Sequence, residues 1–140
     1  MKRLHINGHD GTHVDAPFHS EEKGKTIEDY QIRDFIGKCV VYGEGGDVNE
    51  KQGVIFVKEN IDMGLAKVIV KNKPGFVGLS CEFEFSEDVE KFLLGKGVLL
   101  FERLANTDKL PKDKKFMFYG VPLKIKDGDG SPVRAYAVVD

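Results

Sequence analysis

All four histidines of this 140-residue sequence fall in its first 19 residues, at His5, His9, His13 and His19, with Asp10 and Asp15 among them. Imidazole nitrogen and carboxylate oxygen are the usual ligands of zinc and its divalent neighbours, so this density points to a metal. The spacing adds geometry. In extended chain, residues two apart share a face, so His13 and Asp15 project together. Gly11 lets the backbone bend so that His9 converges on them, and Pro17 stiffens the exit and turns His19 back over the site. Three protein ligands with one side open describe a catalytic ion. A neighbouring histidine outside the ligand set is suited to moving protons near neutral pH. Three alternatives compete. His5, His9 and His13 are four apart and could line a helix, but Gly8, Gly11, Thr12, Val14 and Pro17 oppose one. The segment could be a solvated loop, but Ala16-Pro17-Phe18 is apolar and the glycines sit where tight turns need them. His19 could also join His9, His13 and Asp15 in a closed, structural tetrahedral site.

The elements that must position these groups are short and punctuated by 16 glycines. Residues 3–6 read as a strand leading into a structured loop over 7–25. Thr26 is placed to cap one or two helical turns across 26–36, with Glu28 and Asp29 in the first turn. Strands are expected at 38–43, 54–57, 66–70, 76–79 and 98–104, with a helical turn at 58–65 and a polar glycine-rich loop at 43–53. Ser86 is placed to start a helix with Val89, Phe92 and Leu93 on one face, ended by Gly95 and Gly97. Two further strands, 116–125 and 133–139, are expected to form a hairpin through the turn Asp127-Gly-Asp-Gly130. Strands dominate. The expected class is α/β or α+β: one domain over residues 1–140, a mixed sheet or partial barrel with few helices.

Composition narrows the partners. The formal net charge of −2 offers no basic surface for nucleic acid. No apolar run approaches the roughly 20 residues of a membrane span, and the first residues lack a secretory apolar core, so a cytoplasmic protein is expected. Cys39 and Cys81 form no CxxC pair and read as buried free thiols. Residues 47–58 faintly resemble a calcium loop, but Gln52 and Lys58 stand where glycine and glutamate are required, so that reading is rejected. There is no P-loop, dinucleotide fingerprint or nucleophile elbow, and no serine or cysteine in an activated context.

Residues 9–19, His-Asp-Gly-Thr-His-Val-Asp-Ala-Pro-Phe-His, closely resemble the signature H-x-G-T-H-x-D-x-P-x-H of the metal-dependent cyclase/kynurenine formamidase family, with every fixed position present. Gly78-Leu-Ser-Cys-Glu, the stretch from Leu93 through Glu102 to Asn106, and the C-terminal segments Pro122-Leu-Lys-Ile and Asp129-Gly-Ser-Pro-Val-Arg134-Ala-Tyr-Ala are similar to further family segments. The resemblance implies a swivelling β/β/α domain. It implies that His9, His13 and Asp15 hold a first divalent ion, zinc or in some members manganese. Asp15 would bridge to a second ion ligated by Glu102, and His19 would be the general acid/base. The family has a histidine twelve residues before that glutamate, and Glu90 stands there in this sequence. A carboxylate at that position would shift preference toward harder ions such as manganese. Glu102 also lies on the face of Val98 and Leu100, where a carboxylate needs either a metal or a basic partner such as Arg134. The implied activity is hydrolysis of small amide, formamide or cyclic amide substrates by a homodimer or homotetramer. A degenerate relative that binds a metal or small ligand without turnover is the alternative.

Overall fold

Alternation along β5 (Leu99–Leu104) divides the molecule into two faces. Leu100 packs with Val54, Phe56, Val77 and Leu79 under the helices, while Leu99 and Phe101 pack on the opposite face with Ile55, Phe76, Phe116 and Phe118. The computed structural model describes residues 1–43, 53–112 and 114–139. The glycine-rich loop and the rejected calcium-loop pattern fall largely on 44–52, outside the described residues. The remaining strands are β1 (His13–Asp15), β2 (Ile36–Val41), β3 (Gly53–Phe56), β4 (Phe76–Ser80), β6 (Phe116–Tyr119), β7 (Gly130–Pro132) and β8 (Tyr136–Val138). They join β5 in one sheet, in the order β7-β1-β5-β4-β3-β2-β6-β8. The inner four are parallel; β1 and β6 flank them antiparallel, and the edge strands β7 and β8 pair antiparallel to β1 and β6 in turn.

Parallel neighbours need crossover connections. Helix α1 (Met63–Asn72) links β3 to β4, and helix α2 (Glu87–Leu94) links β4 to β5. This corrects the strand expected at 66–70, which is the body of α1. Asp62 caps it, accepting from the Leu65 N–H at 2.8 Å. Ala66 and Ile69, three apart, face the core, while the β-branched Val68 points to solvent. Local β-propensity yields here to the demand for a crossover. Ser86 precedes α2 in extended conformation, although its side chain makes no capping bond.

The C-terminal hairpin expectation also needs correction. Strand β6 stops at Tyr119, and β8 does pair with it, Tyr119 opposite Tyr136. Between them, however, Gly130–Pro132 crosses to the far edge and pairs with β1. Eight strands laid flat would put the two edges about 34 Å apart, yet residues 133–135 alone connect β7 to β8 and can span only about 14 Å. The sheet must therefore curl on itself into a partial barrel, as its composition of short twisted strands permits. Residues 3–6 are not a strand: Leu4 and Ile6 are exposed and outside the sheet. The turns expected after Thr26 are two 3-10 turns, Ile27–Asp29 and Ile32–Phe35, the first held by a Thr26/Asp29 capping box. Cys39 is buried as expected, but Cys81 is exposed, because the chain leaves the sheet at Ser80.

Inside the curl, Phe76, Phe101 and Phe118 form a triangle with centroids 4.9–5.3 Å apart and two edge-to-face contacts. Fully buried Phe101 is central to it. Phe101→Ala is expected to lower unfolding free energy by about 3–5 kcal/mol, read from the urea midpoint at unchanged slope.

Candidate metal centre

β1 lies antiparallel to β5 with His13 opposite Glu102 and Asp15 opposite Leu100. Val14 faces the phenylalanine side, so His13, Asp15 and Glu102 share the helix side. The chain enters β1 through a tight turn. Asp10 accepts from the Asn7 N–H at 2.8 Å, and Gly11 adopts φ 63°, a left-handed value that favours glycine. That turn projects His9 back over the strand while engaging Asp10 in the loop itself. After β1, Pro17 opens a 3-10 turn, Pro17–His19, which brings His19 over α2. His5 is exposed and takes no part.

The structure thus brings together His9, His13, Asp15, His19, Glu90 and Glu102. His9 Nδ1 lies 2.7 Å from Asp15 Oδ1, and His13 Nε2 lies 3.5 Å from the same oxygen. His13 Nδ1–H donates to the Gly11 carbonyl at 2.8 Å, which fixes the tautomer and leaves Nε2 as the inward lone pair. His19 Nε2 lies 3.1 Å from Glu90 Oε1. Asp15 is 1% exposed and His13 is 3% exposed. His9 and His19 are partly open to solvent.

Sequence reasoning missed two residues. Asp129, read as part of a turn and of a family-like C-terminal segment but given no role in the site, places Oδ2 2.9 Å from His19 Nδ1 and 3.1 Å from His9 Nε2. Gly130, opposite Asp15 in the sheet, passes so close that a Cβ there would lie 2.5 Å from the His9 ring and 3.0 Å from Asp15 Oδ1. The signals for both are the acid-glycine alternation, which ordinary turns share, and the family-like segment that begins at Asp129, which carries no ligand pattern. Both enter the site because the chain after 120 returns to β1.

The electrostatics show a surplus of negative charge. Burial first, then the charges of Asp15 and Glu90 and a hydrogen bond with Asp15, push Glu102 up to about 8. Burial likewise raises Glu90, partly offset by His19 and His9 and reinforced by Asp15. The hydrogen bond to Asp15 raises His9 to about 9 against the opposing effect of burial, with Asp129 adding to the rise. Burial works against the charge of Asp129, yet bonds from His19 and His9 hold its carboxyl below the usual range. Among the described residues, Glu102 has no ion pair with a basic side chain, so the Arg134 partnership considered from sequence is not formed. Arg103 is the next residue, held at φ 53° in a bulge that reverses the facing of the strand beyond it.

This donor set fits a divalent ion. His9, His13 and Asp15 each offer a ligand atom within 4.8 Å of the others, as do His9, His19 and Asp129. A tetrahedral ion with bonds of about 2.0–2.2 Å sets its ligand atoms roughly 3.4 Å apart, and the His13–Asp15 separation of 3.5 Å matches that. Glu90 and Glu102 flank the first group rather than completing it.

A curled mixed sheet of eight strands with two crossover helices is the fold of the cyclase-fold hydrolases. The chain belongs to the family described as "Putative cyclase", whose model matches residues 2–79. It is 25% identical over 167 aligned positions to kynurenine formamidase of Bacillus thuringiensis (strain Al Hakam), covering 95% of this chain and 77% of that protein. It is 26% identical to kynurenine formamidase of Bacillus anthracis over the same shares. In fold it is similar to an isatin hydrolase crystallised with the product analogue thioisatinate (TM-score 0.83, 20% identity, 96% of this chain and 73% of that one). It is also similar to a potential metal-dependent hydrolase with cyclase activity (TM-score 0.77, 22% identity, 95% and 80%).

Two predictions follow from the geometry. Gly130→Ala should weaken metal binding at least tenfold while the far-ultraviolet spectrum is kept, since its methyl would displace a ligand ring; zinc competition with a chelating dye reads this. Ligands bind deprotonated. With His9 protonated up to about 9 and Glu102 up to about 8 in the metal-free protein, binding near pH 7 should release protons. Affinity should then rise between pH 7 and 9, as calorimetry in buffers of different ionisation enthalpy would show.

Proposed function

We propose that this chain is a metal-dependent hydrolase of small amides, formamides or cyclic amides. The observation that carries this reading is the convergence of His9, His13 and Asp15 on one point, with His19 beside them and outside that set. His9, His13 and Asp15 would hold the first ion, with zinc the first expectation from two imidazoles and a carboxylate, and manganese the second. Asp15, Glu102 and Glu90 would supply an oxygen-rich neighbourhood for a second ion, and that ion would offset the burial and the neighbouring negative charges that raise Glu102. When bound, such an ion polarises a carbonyl and makes water a better nucleophile near neutral pH. His19 holds or moves the proton at Nε2, as general acid/base for the departing amine. Its Nδ1 is engaged by Asp129, so Nε2, which lies 3.1 Å from Glu90 Oε1, is the nitrogen that would make that exchange, in competition with Glu90.

The formamidase and isatin hydrolase relatives support an aryl formamide or fused lactam as the substrate class. We further propose a homodimer or homotetramer, supported by exposed Leu4, Ile6, Leu123 and Ile125, and a cytoplasmic location. Among the described residues no helix is long and apolar enough to cross a membrane. A non-catalytic, ligand-binding relative is the second reading. It is favoured by Glu90, whose carboxylate takes His19 Nε2 at 3.1 Å.

His19→Ala should keep the ion, measured by elemental analysis, and lower kcat on an aryl formamide about 10²–10⁴-fold. His13→Ala should lose the ion. Wild-type metal-loaded protein inert across a panel of formamides and lactams would favour the second reading.

A further inference from the structure

No ligand set read from the sequence includes Asp129, yet its Oδ2 lies within hydrogen-bond distance of both His9 and His19. The His9 and His19 rings lie 4.2 Å apart at a 42° tilt, and that oxygen bridges them at 3.1 and 2.9 Å. The loop that carries it is held independently of those contacts. The Ala16 N–H donates to the Asp129 carbonyl at 2.8 Å, the Ile27 N–H to the Gly128 carbonyl at 2.8 Å, and the Asp127 N–H to Glu28 Oε1 at 2.9 Å. The loop backbone is thus tied to the stretch that follows β1 by two backbone bonds and one to the Glu28 side chain, and it presents the Asp129 carboxylate to the imidazoles.

We propose that Asp129 is a positioning residue that sets the tautomers of two imidazoles at once, that of the ligand His9 and that of the proton carrier His19. The proposal rests on the hydrolase reading for the role of His19, and on the metal site alone for that of His9. His9 presents Nδ1 to Asp15, so a ligand His9 keeps its proton on Nε2, and Asp129 is the acceptor for it. Carboxylate–histidine–metal chains of this kind orient the ring and raise its basicity. The same oxygen accepts from His19 Nδ1–H, which assigns the exchangeable proton of His19 to Nε2, on the side of Glu90. One carboxylate therefore couples the placement of the ion to the placement of the acid/base, across two turns of chain that are remote from it in sequence.

The test uses zinc as the probe, with Asp129→Ala and Asp129→Asn, the second keeping the shape of the side chain and one oxygen acceptor. In chelator competition, Asp129→Ala should bind zinc about 10–100-fold more weakly than wild type, with Asp129→Asn between them. In ¹⁵N–¹H spectra of the zinc-loaded proteins, His19 should be the Nδ1–H tautomer in wild type and lose that preference in Asp129→Ala. On an aryl formamide at saturating zinc, Asp129→Ala should lower kcat rather than raise KM, and should add no further loss in a His19→Ala background. Unchanged zinc affinity in Asp129→Ala, or an unchanged His19 imidazole pattern, would overturn the proposal. If wild type turns over no substrate, the hydrolase reading fails, but the affinity and the imidazole spectra still decide the role of Asp129.

Discussion

A carboxylate withdrawn from water needs a counter-charge, and Asp15 is withdrawn almost completely, at 1% exposure. Burying an isolated charge costs several kcal/mol even after relaxation. Two features around Asp15 answer that cost. His9 donates to it at 2.7 Å, and the neighbouring Glu102 is driven to keep its proton. In a metal-free protein these substitute for a cation. Three carboxylates, Asp15, Glu90 and Glu102, meet at the end of the helix-side core, and among the described residues Asp15 and Glu90 pair with imidazoles, while the charge of Arg103 only partly offsets the burial of Glu102. An arrangement so short of positive charge is held by the fold for a purpose that packing alone does not explain.

The fold holds it by curling. Two hydrophobic clusters, one on each face of the sheet, fix the parallel strands and the two crossover helices. The short link between β7 and β8 then forces the sheet edges toward each other, and the return of the chain along β1 delivers Asp129 and Gly130 to the histidines. The site is therefore assembled from four places in sequence: the turn and strand at 9–19, helix α2, strand β5 and the C-terminal return. Sub-ångström demands appear where they meet, as at Gly130, where even a methyl group would collide with His9.

The sequence was informative where chemistry and local geometry coincide. Histidine density, the alternation of His13 with Asp15, and the glycine and proline on either side were readable because each acts over a few residues. Glu102 stood out as a charge on an apolar face. The class of fold was also readable, since strands at short intervals with one strong helix leave few packings. Other features depend on contacts distant in sequence. Residues 66–70 have strand composition but lie between two parallel strands, and only the pairing of β3 with β4 makes them a helix. Residues 3–6 alternate like a strand and find no partner. Asp129 looked like any residue of an Asp-Gly turn because its partners lie 110 and 120 positions away. The contact between Glu90 and His19 likewise depends on how α2 packs over the turn at 17–19, which no periodicity records.

His9 belongs to two groups of ligand atoms, one with His13 and Asp15 through Nδ1 and one with His19 and Asp129 through Nε2, and the roles assigned to every other residue follow from which group takes the ion. The most direct measurement is a crystal structure of the zinc-loaded protein with anomalous scattering at the zinc edge. The account predicts a peak bonded to His9 Nδ1, His13 Nε2 and Asp15, with His19 outside the coordination shell. A peak bonded to His9 Nε2, His19 and Asp129 would contradict it, because His19 would then be a ligand and could not serve as the proton carrier.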